Sequence, residues 1–261
     1  MTADSVVLLH GWPGSTADYR RVIPKLGTLR VVAVDLLGFG GGYTRPVTNE
    51  EMTPEAHTHR ILELIRREGL RRPVVAGYDI GSRLAQMLAR AAPEEIAGIV
   101  ITPAYPGIGS RQTEPEFSGK YWYQHFHRSG LAADLIDGNQ AAVRTYLGAI
   151  WRTWGGDGSL SRGPEFDRLV ADYSRPGAFR ASIEWYSTPR GYAGATPVTV
   201  PSIMLWPGRD ELFPVEWADR IPEWFPNGRV IVLPESGHFV PLEAPDAFAD
   251  AILDLATEAA R

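Results

Sequence analysis

The stretch AGYDIGSRLA, residues 76–85, has the spacing G-x-D-x-G, with Asp79 between Gly77 and Gly81. It follows the apolar run PVVAGY and opens a helical pattern, so it predicts a sharp turn from a strand into a helix. Two glycines allow such a turn a strained backbone and a closely packed helix, which would present Asp79 at the helix N-terminus. Capping of that helix is the alternative role for this aspartate.

Short apolar runs recur along the chain, and each is a predicted strand: SVVLLH from Ser5, RVVAVD from Arg30, PVVAGY from Pro73, IAGIVIT from Ile96, SIMLWP from Ser202 and RVIVLP from Arg229. Continuous apolar runs are typical of parallel strands that are buried on both faces. Helical patterns separate the early runs, at EAHTHRILELIRREGL from Glu55 and SRLAQMLARAAP from Ser82. This alternation predicts a doubly wound α/β sheet.

The strand rhythm stops between about Tyr105 and Pro197, where the sequence is helical and aromatic. A segment of this size between two parts of an α/β core most simply folds as a helical cap. We therefore predict a core made of residues 1–104 and 197–261 and a cap made of residues 105–196, with hinges in its Pro- and Gly-containing ends.

Composition limits the classes of function. The 261 residues carry a formal net charge of -5 and no cysteine, so we expect no nucleic-acid partner, no anionic membrane surface, no disulfide and no thiolate metal site. The N-terminal segment lacks a signal peptide or spanning pattern, which predicts a cytoplasmic protein. His57 and His59 are two residues apart in a helical pattern and make a poor metal pair. No metal or other cofactor is implied, and a homo-oligomer remains open.

Three further motifs stand at predicted strand ends. HGWPGS follows the first run, and the backbone N–H of Trp12 could form an oxyanion hole with that of Ile80. WPGRDELFP places Asp210 after the fifth run, and PESGHFVPLEAP places His238 after the sixth. A single loop Asp or His is usually a solvated surface residue. Together, however, these residues follow the chain order nucleophile, acid, histidine, which predicts a triad of Asp79, Asp210 and His238.

These motifs together resemble the epoxide hydrolase and haloalkane or haloacetate dehalogenase branch of the α/β-hydrolase superfamily, over nearly the whole chain. The HGxP turn is typical of epoxide hydrolases. Because few residues precede SVVLLH, the antiparallel strands that usually open this fold are expected to be missing. The resemblance thus implies an α/β-hydrolase fold with a mostly parallel sheet of about six strands, RVVAVD near an edge, and an inserted helical cap.

A carboxylate nucleophile narrows the reaction. An ordinary aspartate is already an anion at neutral pH, because its pKa is about 3.9. Its attack on an ester would yield a reactive anhydride, so its useful targets are sp³ carbons that bear a leaving group, and the product is an alkyl-enzyme ester. His238, oriented by Asp210, would activate water to hydrolyse that ester.

The leaving group separates the two branches of the resemblance. An epoxide opens to a basic alkoxide that needs a proton from an acid such as tyrosine, whereas a halide leaves unprotonated. The motif ASIEWYS is similar to the stretch that carries a ring-opening tyrosine in epoxide hydrolases, which implies this role for Tyr186. Haloacetate dehalogenases also have a tyrosine there, so Tyr186 alone does not decide between the branches. The position of a second tyrosine holds Trp122 here, and Tyr123 is the candidate substitute. Packing of cap against core is the alternative role for these aromatics.

We therefore predict an epoxide hydrolase that acts on a small, apolar or aromatic substrate. Trp122 and Trp185 are expected to line the pocket that binds it. The first alternative is a haloacid or haloalkane dehalogenase with the same triad. Arg83 keeps it open, because fluoroacetate dehalogenases hold the substrate carboxylate with an arginine at this spacing, and His125 lies near their halide-binding residues. Ile80 departs from both dehalogenase patterns. The second alternative is a ligand-binding relative with little turnover.

Overall fold

The computed structural model describes residues 3–188 and 195–258, and one parallel sheet forms its centre. Its strands are β1 Ser5–Leu9, β2 Arg30–Val34, β3 Val74–Gly77, β4 Gly98–Ile101, β5 Ser202–Pro207 and β6 Gly228–Leu233. They lie in the order β2-β1-β3-β4-β5-β6, and all neighbouring strands are parallel. All six predicted runs therefore form strands, and the prediction of RVVAVD near an edge is confirmed.

Helices cover the sheet and connect its strands. The α-helices are α1 Pro54–Arg67, α2 Ile80–Ala91, α3 Ile108–Arg111, α4 Pro115–Ser118, α5 Trp122–Arg128, α6 Leu131–Ile136, α7 Gln140–Trp154, α8 Pro164–Tyr173, α9 Ala178–Ile183, α10 Ile221–Trp224, α11 Val240–Glu243 and α12 Pro245–Glu258. Short 3₁₀ helices lie at Thr16–Tyr19, Ile23–Lys25, Gly40–Gly42, Pro93–Glu95, Gly119–Tyr121, Ser159–Ser161, Glu184–Ser187 and Val215–Arg220. The two helices predicted from periodicity correspond to α1 and α2.

Burial separates the central strands from the edges of the sheet. Every residue of β1, β3, β4 and β5 is buried. The edge strands β2 and β6 are only partly buried, and Val232 is 45% exposed. The expectation that every continuous apolar run is buried on both faces is wrong for these two strands. A run of Val and Ile records a preference for the pleated backbone, whereas burial depends on which neighbours the chain places beside it.

The described residues between β4 and β5, here called the insert, contain helices α3 to α9 and no strand. This agrees with the helical character predicted for residues 105–196. Residues 189–194 of that prediction lie outside the described residues. The division into a core and a cap with hinges at these boundaries stays a prediction.

The order of the strands places the site. The chain leaves β1 toward β2 on one side and returns to β3 on the other side of β1. Leu9 at the end of β1 pairs with Gly77 at the end of β3, so the loops that follow them emerge side by side. Crevices of this kind, at the carboxyl ends of parallel strands where the order reverses, are where open α/β sheets bind ligands.

Residues 3–188 and 195–258 contain neither a candidate membrane span nor a candidate metal site. No helix in these ranges is long and apolar enough to cross a membrane. No three His, Asp or Glu side chains there are grouped so that they could hold a metal ion.

Candidate active site

The loop between β3 and α2 has a strained backbone at its central residue. Asp79 has φ 50° and ψ -117°, in the positive-φ region that L-residues rarely adopt. Close packing enforces this turn: a Cβ on Gly81 would lie 1.9 Å from the Leu9 carbonyl oxygen, and a Cβ on Gly11 would lie 2.6 Å from the Asp79 Cβ. The Asp79 side chain makes no capping hydrogen bond to α2. The alternative of a simple helix cap is therefore not what the geometry favours.

Each carboxylate oxygen of Asp79 faces a different group. Oδ1 accepts a hydrogen bond of 2.9 Å from the backbone N–H of Trp12, in the turn after β1. The Ile80 N–H also interacts with this carboxylate. Oδ2 lies 3.4 Å from Nε2 of His238. The side chain is 20% exposed, so it remains open to a reactant.

His238 and Asp210 form a buried pair beside Asp79. The histidine Nδ1 lies 2.8 Å from Asp210 Oδ2, and the other oxygen of Asp210 accepts the Leu212 N–H at 2.8 Å. The imidazole is flanked by the Phe213 ring, nearly parallel at 6.2 Å between centroids, and by the Trp154 ring at 5.1 Å. These contacts hold the imidazole with Nδ1 toward Asp210 and Nε2 toward Asp79.

The three groups shift one another's pKa values. Burial raises the pKa of Asp79, but the hydrogen bond and charge of His238 and the backbone N–H groups outweigh it, so the pKa lies below its usual value. Burial lowers the pKa of His238, but the charges and hydrogen bonds of Asp210 and then Asp79 raise it to about 10. The resting site therefore holds an imidazolium between two carboxylates.

His238 is expected to stay protonated up to about pH 10 in the substrate-free protein. Desolvation lowers the pKa of buried His57 to about 3, so this histidine should be neutral above about pH 3. NMR titration of the ring nitrogens checks both, with His238→Gln and His57→Gln variants for assignment. Since the folded pKa of His238 exceeds its usual 6.5, its pairing stabilises the protein fully below pH 6.5, and this contribution is lost as the pH rises through about 10. Titration of His238 near pH 6.5 would contradict the pairing.

The loop that carries His238 is fastened to the insert by Glu243. This carboxylate accepts backbone N–H groups of Gly156, Gly237 and Phe239 at 2.8, 2.8 and 3.0 Å. The His238 N–H adds a bond of 2.9 Å to the Trp154 carbonyl. Sequence analysis missed this role of Glu243, whose only signal is its place in the segment PLEAP after the histidine.

Glu243→Ala is expected to lower the free energy of unfolding by roughly 3 kcal/mol, because backbone donors lose their acceptor in a partly buried site. Urea unfolding measures the change. The matched control is Glu235→Ala, which removes an exposed pairing with Arg209 and should change stability by less than about 1 kcal/mol. Equal effects of the two substitutions would show that Glu243 does not hold the loop.

The turn after β1 is fastened to the insert as well. Trp151 Nε1 donates to the Pro13 carbonyl at 3.2 Å, and Trp12 Nε1 donates to Ser182 Oγ at 3.1 Å. The Tyr173 hydroxyl donates to the Gly14 carbonyl at 3.0 Å and accepts the Gly14 N–H at 3.1 Å. The position of the Trp12 N–H thus depends on the insert as well as on the sheet.

A small cavity of about 70 Å³ opens on the Asp79 carboxylate. Its lining residues are Asp79, Ile80, Arg83, Gln112, Tyr123, Gln124, Trp185, Tyr186 and Phe213. The structure thus brings together Asp79 and four residues selected from the sequence: Arg83, Tyr123, Trp185 and Tyr186. The sequence did not single out Gln112, Gln124 or Phe213. Phe213 lies within WPGRDELFP, where only Asp210 matched the triad pattern, and a glutamine gives no signal of its own.

Two residues predicted to bind substrate lie elsewhere. Trp122 is 51% exposed and lines a separate surface pocket, with its ring against Phe126 and Tyr146. Successive residues of a helix point about 100° apart, so when Tyr123 faces the cavity Trp122 cannot. His125 is exposed and lines an outer pocket of about 760 Å³. Neither side chain lines the Asp79 cavity, and a role of either in substrate binding stays a prediction.

The outer pocket adjoins the inner cavity through shared walls. Gln112, Gln124 and Tyr186 line both spaces. The outer lining includes hydroxyl and amide side chains beside His125 and Arg128. A substituent that extends from a reactant at Asp79 would therefore meet hydrogen-bonding groups.

Two supporting residues complete the site. Thr102, after β4, accepts the Asp79 N–H through its hydroxyl at 3.1 Å. His10 has a pKa lowered by burial, and its ring connects two loops: Nδ1 lies 2.9 Å from the Gly11 carbonyl, and Nε2 accepts the Leu36 N–H at 3.0 Å. His10 belongs to the recognised HGWPGS turn, whereas nothing in the sequence marks Thr102.

Comparison with known proteins assigns the chain to a family. The Alpha/beta hydrolase family matches residues 6–251, so the chain belongs to this family. It is 28% identical to the soluble epoxide hydrolase of Corynebacterium sp. (strain C12), over 95% of this chain and 88% of that protein. It is 24% identical to the pimeloyl-[acyl-carrier protein] methyl ester esterase of Edwardsiella ictaluri (strain 93-146), over 96% and 92%. The solved structure of epoxide hydrolase CorEH without ligand superposes with a TM-score of 0.84, at 24% identity, over 98% of this chain and 93% of that one.

The chain is thus a hydrolase of this family with an all-parallel, six-stranded sheet in its described residues. The two relatives act on different bonds according to their names, at comparable identity. The choice between such reactions depends on the residues of the site.

Proposed function

We propose that the protein is an epoxide hydrolase that works through an ester between Asp79 and the substrate. One observation supports this above all: a carboxylate occupies the nucleophile turn, contacts the Trp12 N–H and His238, and opens on a cavity lined by Tyr123 and Tyr186. The nucleophile and two proton donors then line one cavity, and the base lies 3.4 Å from the nucleophile.

In the first step, an Asp79 oxygen attacks a ring carbon of the epoxide, and the C–O bond of that carbon breaks. Oδ1 is held by the Trp12 N–H, so Oδ2 is the oxygen that becomes alkylated. The departing ring oxygen takes a proton from Tyr186 or Tyr123. The Gln124 amide donates to the Tyr123 hydroxyl at 3.2 Å and so faces the oxygen that would carry charge after proton donation.

In the second step, Nε2 of His238 takes a proton from water, and the water oxygen attacks the carboxyl carbon of Asp79. The resulting oxyanion at Oδ1 is stabilised by the backbone N–H groups of Trp12 and Ile80. Collapse releases the diol and restores the carboxylate. Alkylation removes the negative charge of Asp79, one of the groups that raise the pKa of His238, so the imidazolium then gives up its proton, which restores the tyrosine that lost one in ring opening. The neutral imidazole is then the base for the second step.

The dehalogenase alternative rests on Arg83, which lines the same cavity as Asp79. A guanidinium there suits a substrate carboxylate, as in a haloacid. The two tyrosines favour the epoxide, because a halide leaves without a proton.

The test is turnover of a panel of alkyl and aryl epoxides beside chloroacetate and fluoroacetate. We expect diol formation, and Tyr186→Phe should lower kcat for epoxides roughly 100-fold, in the range of general acid catalysis. Tyr105→Phe is the matched control, since it removes a buried hydroxyl that bonds to the Trp217 carbonyl. Halide release without diol formation would favour the dehalogenase, and turnover of neither class would favour a ligand-binding role.

A further inference from the structure

A buried carboxylate that the mechanism does not use lies behind the turn after β1. Asp18 is 4% exposed, and its Oδ2 accepts the Tyr78 hydroxyl at 2.6 Å and the Ser15 N–H at 3.0 Å. Burial raises its pKa to about 7. A carboxyl in such surroundings is expensive unless it is hydrogen-bonded, so its place here needs a reason.

The partners of Asp18 suggest that reason. Tyr78 immediately precedes Asp79 in the strained turn, and Ser15 belongs to the turn that presents the Trp12 N–H. Asp18 therefore connects the two backbone segments that meet at the 2.9 Å bond between Trp12 N and Asp79 Oδ1.

The fit around this connection is close. A Cβ on Gly14 would lie 2.3 Å from both Asp18 Oδ2 and the Tyr78 hydroxyl. A side chain at position 14 would therefore displace one of the two turns. The bond between Tyr78 and Asp18 and this close approach of Gly14 both connect the turn after β1 with the turn that carries Asp79.

We propose that Asp18 and Tyr78 are a pair of positioning residues that hold the Trp12 N–H against the carboxyl group of Asp79. The inference rests on the proposed function, because the N–H matters most when an oxyanion forms on Asp79 during ester hydrolysis. Attack by the carboxylate on the epoxide builds no charge at Oδ1 and needs the donor less. Loosening the pair should therefore slow the second step more than the first.

Single-turnover kinetics with a reactive epoxide tests this, with quenched samples analysed by mass spectrometry for the alkyl-enzyme. In Tyr78→Phe we expect the alkylation rate to stay within about threefold and hydrolysis to slow about tenfold, less than the loss of an oxyanion donor itself. The ester then accumulates, and kcat and KM fall together. Tyr105→Phe, which loses a buried hydroxyl bonded to the Trp217 carbonyl, should show the wild-type ratio of rates.

Asp18→Asn provides a second variant that retains the side-chain size. If the two residues act as a unit, the effect of the double variant is smaller than the product of the single effects. Equal slowing of both steps in Tyr78→Phe, or the same ratio as in Tyr105→Phe, would overturn the positioning role while leaving the proposed function intact. Absence of any alkyl-enzyme in the wild type would instead overturn the proposed function, and this inference with it.

Discussion

Asp79→Ala is expected to lower kcat for an epoxide by roughly 10⁴-fold or more, the size of effect seen when a nucleophile is removed. In the proposed mechanism the carboxylate forms the ester, and it also carries the oxygen that accepts the Trp12 N–H, so alanine removes the covalent route altogether. Neither His238 nor the tyrosines are proposed to form an ester with the substrate. Without Asp79, only water that attacks the epoxide ring directly could still produce diol. Initial rates of diol formation and mass spectrometry of the protein measure the two consequences.

The control for this substitution is Asp167→Ala, which removes an exposed carboxylate paired with Arg144 on the insert and should leave kcat unchanged. Circular dichroism and urea unfolding establish that Asp79→Ala folds. For the wild type, turnover in ¹⁸O-water should place label in the Asp79 carboxylate. Appreciable diol formation by Asp79→Ala, or an unlabelled carboxylate, would mean that water attacks the epoxide directly.

His238→Gln is expected to abolish repeated turnover and to leave a stoichiometric alkyl-enzyme. In the proposed mechanism ring opening uses the carboxylate and the tyrosines, so one equivalent of epoxide should still react. Hydrolysis needs a base near the ester, and Nε2 of His238, 3.4 Å from Asp79 Oδ2, is the group placed to be that base. Glutamine also removes the positive charge that lowers the pKa of Asp79, which leaves the Trp12 and Ile80 N–H groups to oppose the effect of burial on that pKa.

Intact-mass analysis should show the protein plus one substrate, and peptide mapping should place the addition on Asp79. His59→Gln is the matched control, because this histidine is exposed on α1. This variant should show normal turnover. A His238→Gln variant that is inactive yet carries no adduct would indicate that the histidine is needed before the ester forms, and the division of labour proposed for the triad would be wrong.

The sheet and the candidate triad were accessible from sequence for one physical reason. Parallel strands buried on both faces require continuous apolar runs, and their carboxyl ends lie at one edge of the sheet. Residues that follow several such runs therefore come close together although they are far apart in the chain. Asp79, Asp210 and His238 follow three different strands, and the structure places them in contact.

The lining of the cavity was harder to predict, because the insert has no sheet to define its register. Tyr123 and Trp122 are neighbours in sequence, and only the rotation of α5 decides that the first lines the cavity and the second is exposed. Gln112 enters the lining from a segment without a motif, and Phe213 lies within WPGRDELFP, where only Asp210 matched the triad pattern. Likewise, Asp18 looks like an ordinary residue of a short helix, and its contact with Tyr78 spans 60 residues of chain.

The sequence by itself determined the order of the strands along the chain, the strained turn and the chemical nature of its central residue. Asp79 in AGYDIGSRLA already indicated alkyl transfer rather than ordinary ester hydrolysis. Only the tertiary structure decided which oxygen of Asp79 faces Trp12 and which faces His238, and which aromatic residues share their cavity. Local patterns set backbone conformation and apolar faces, whereas these contacts depend on how segments far apart in sequence pack against each other.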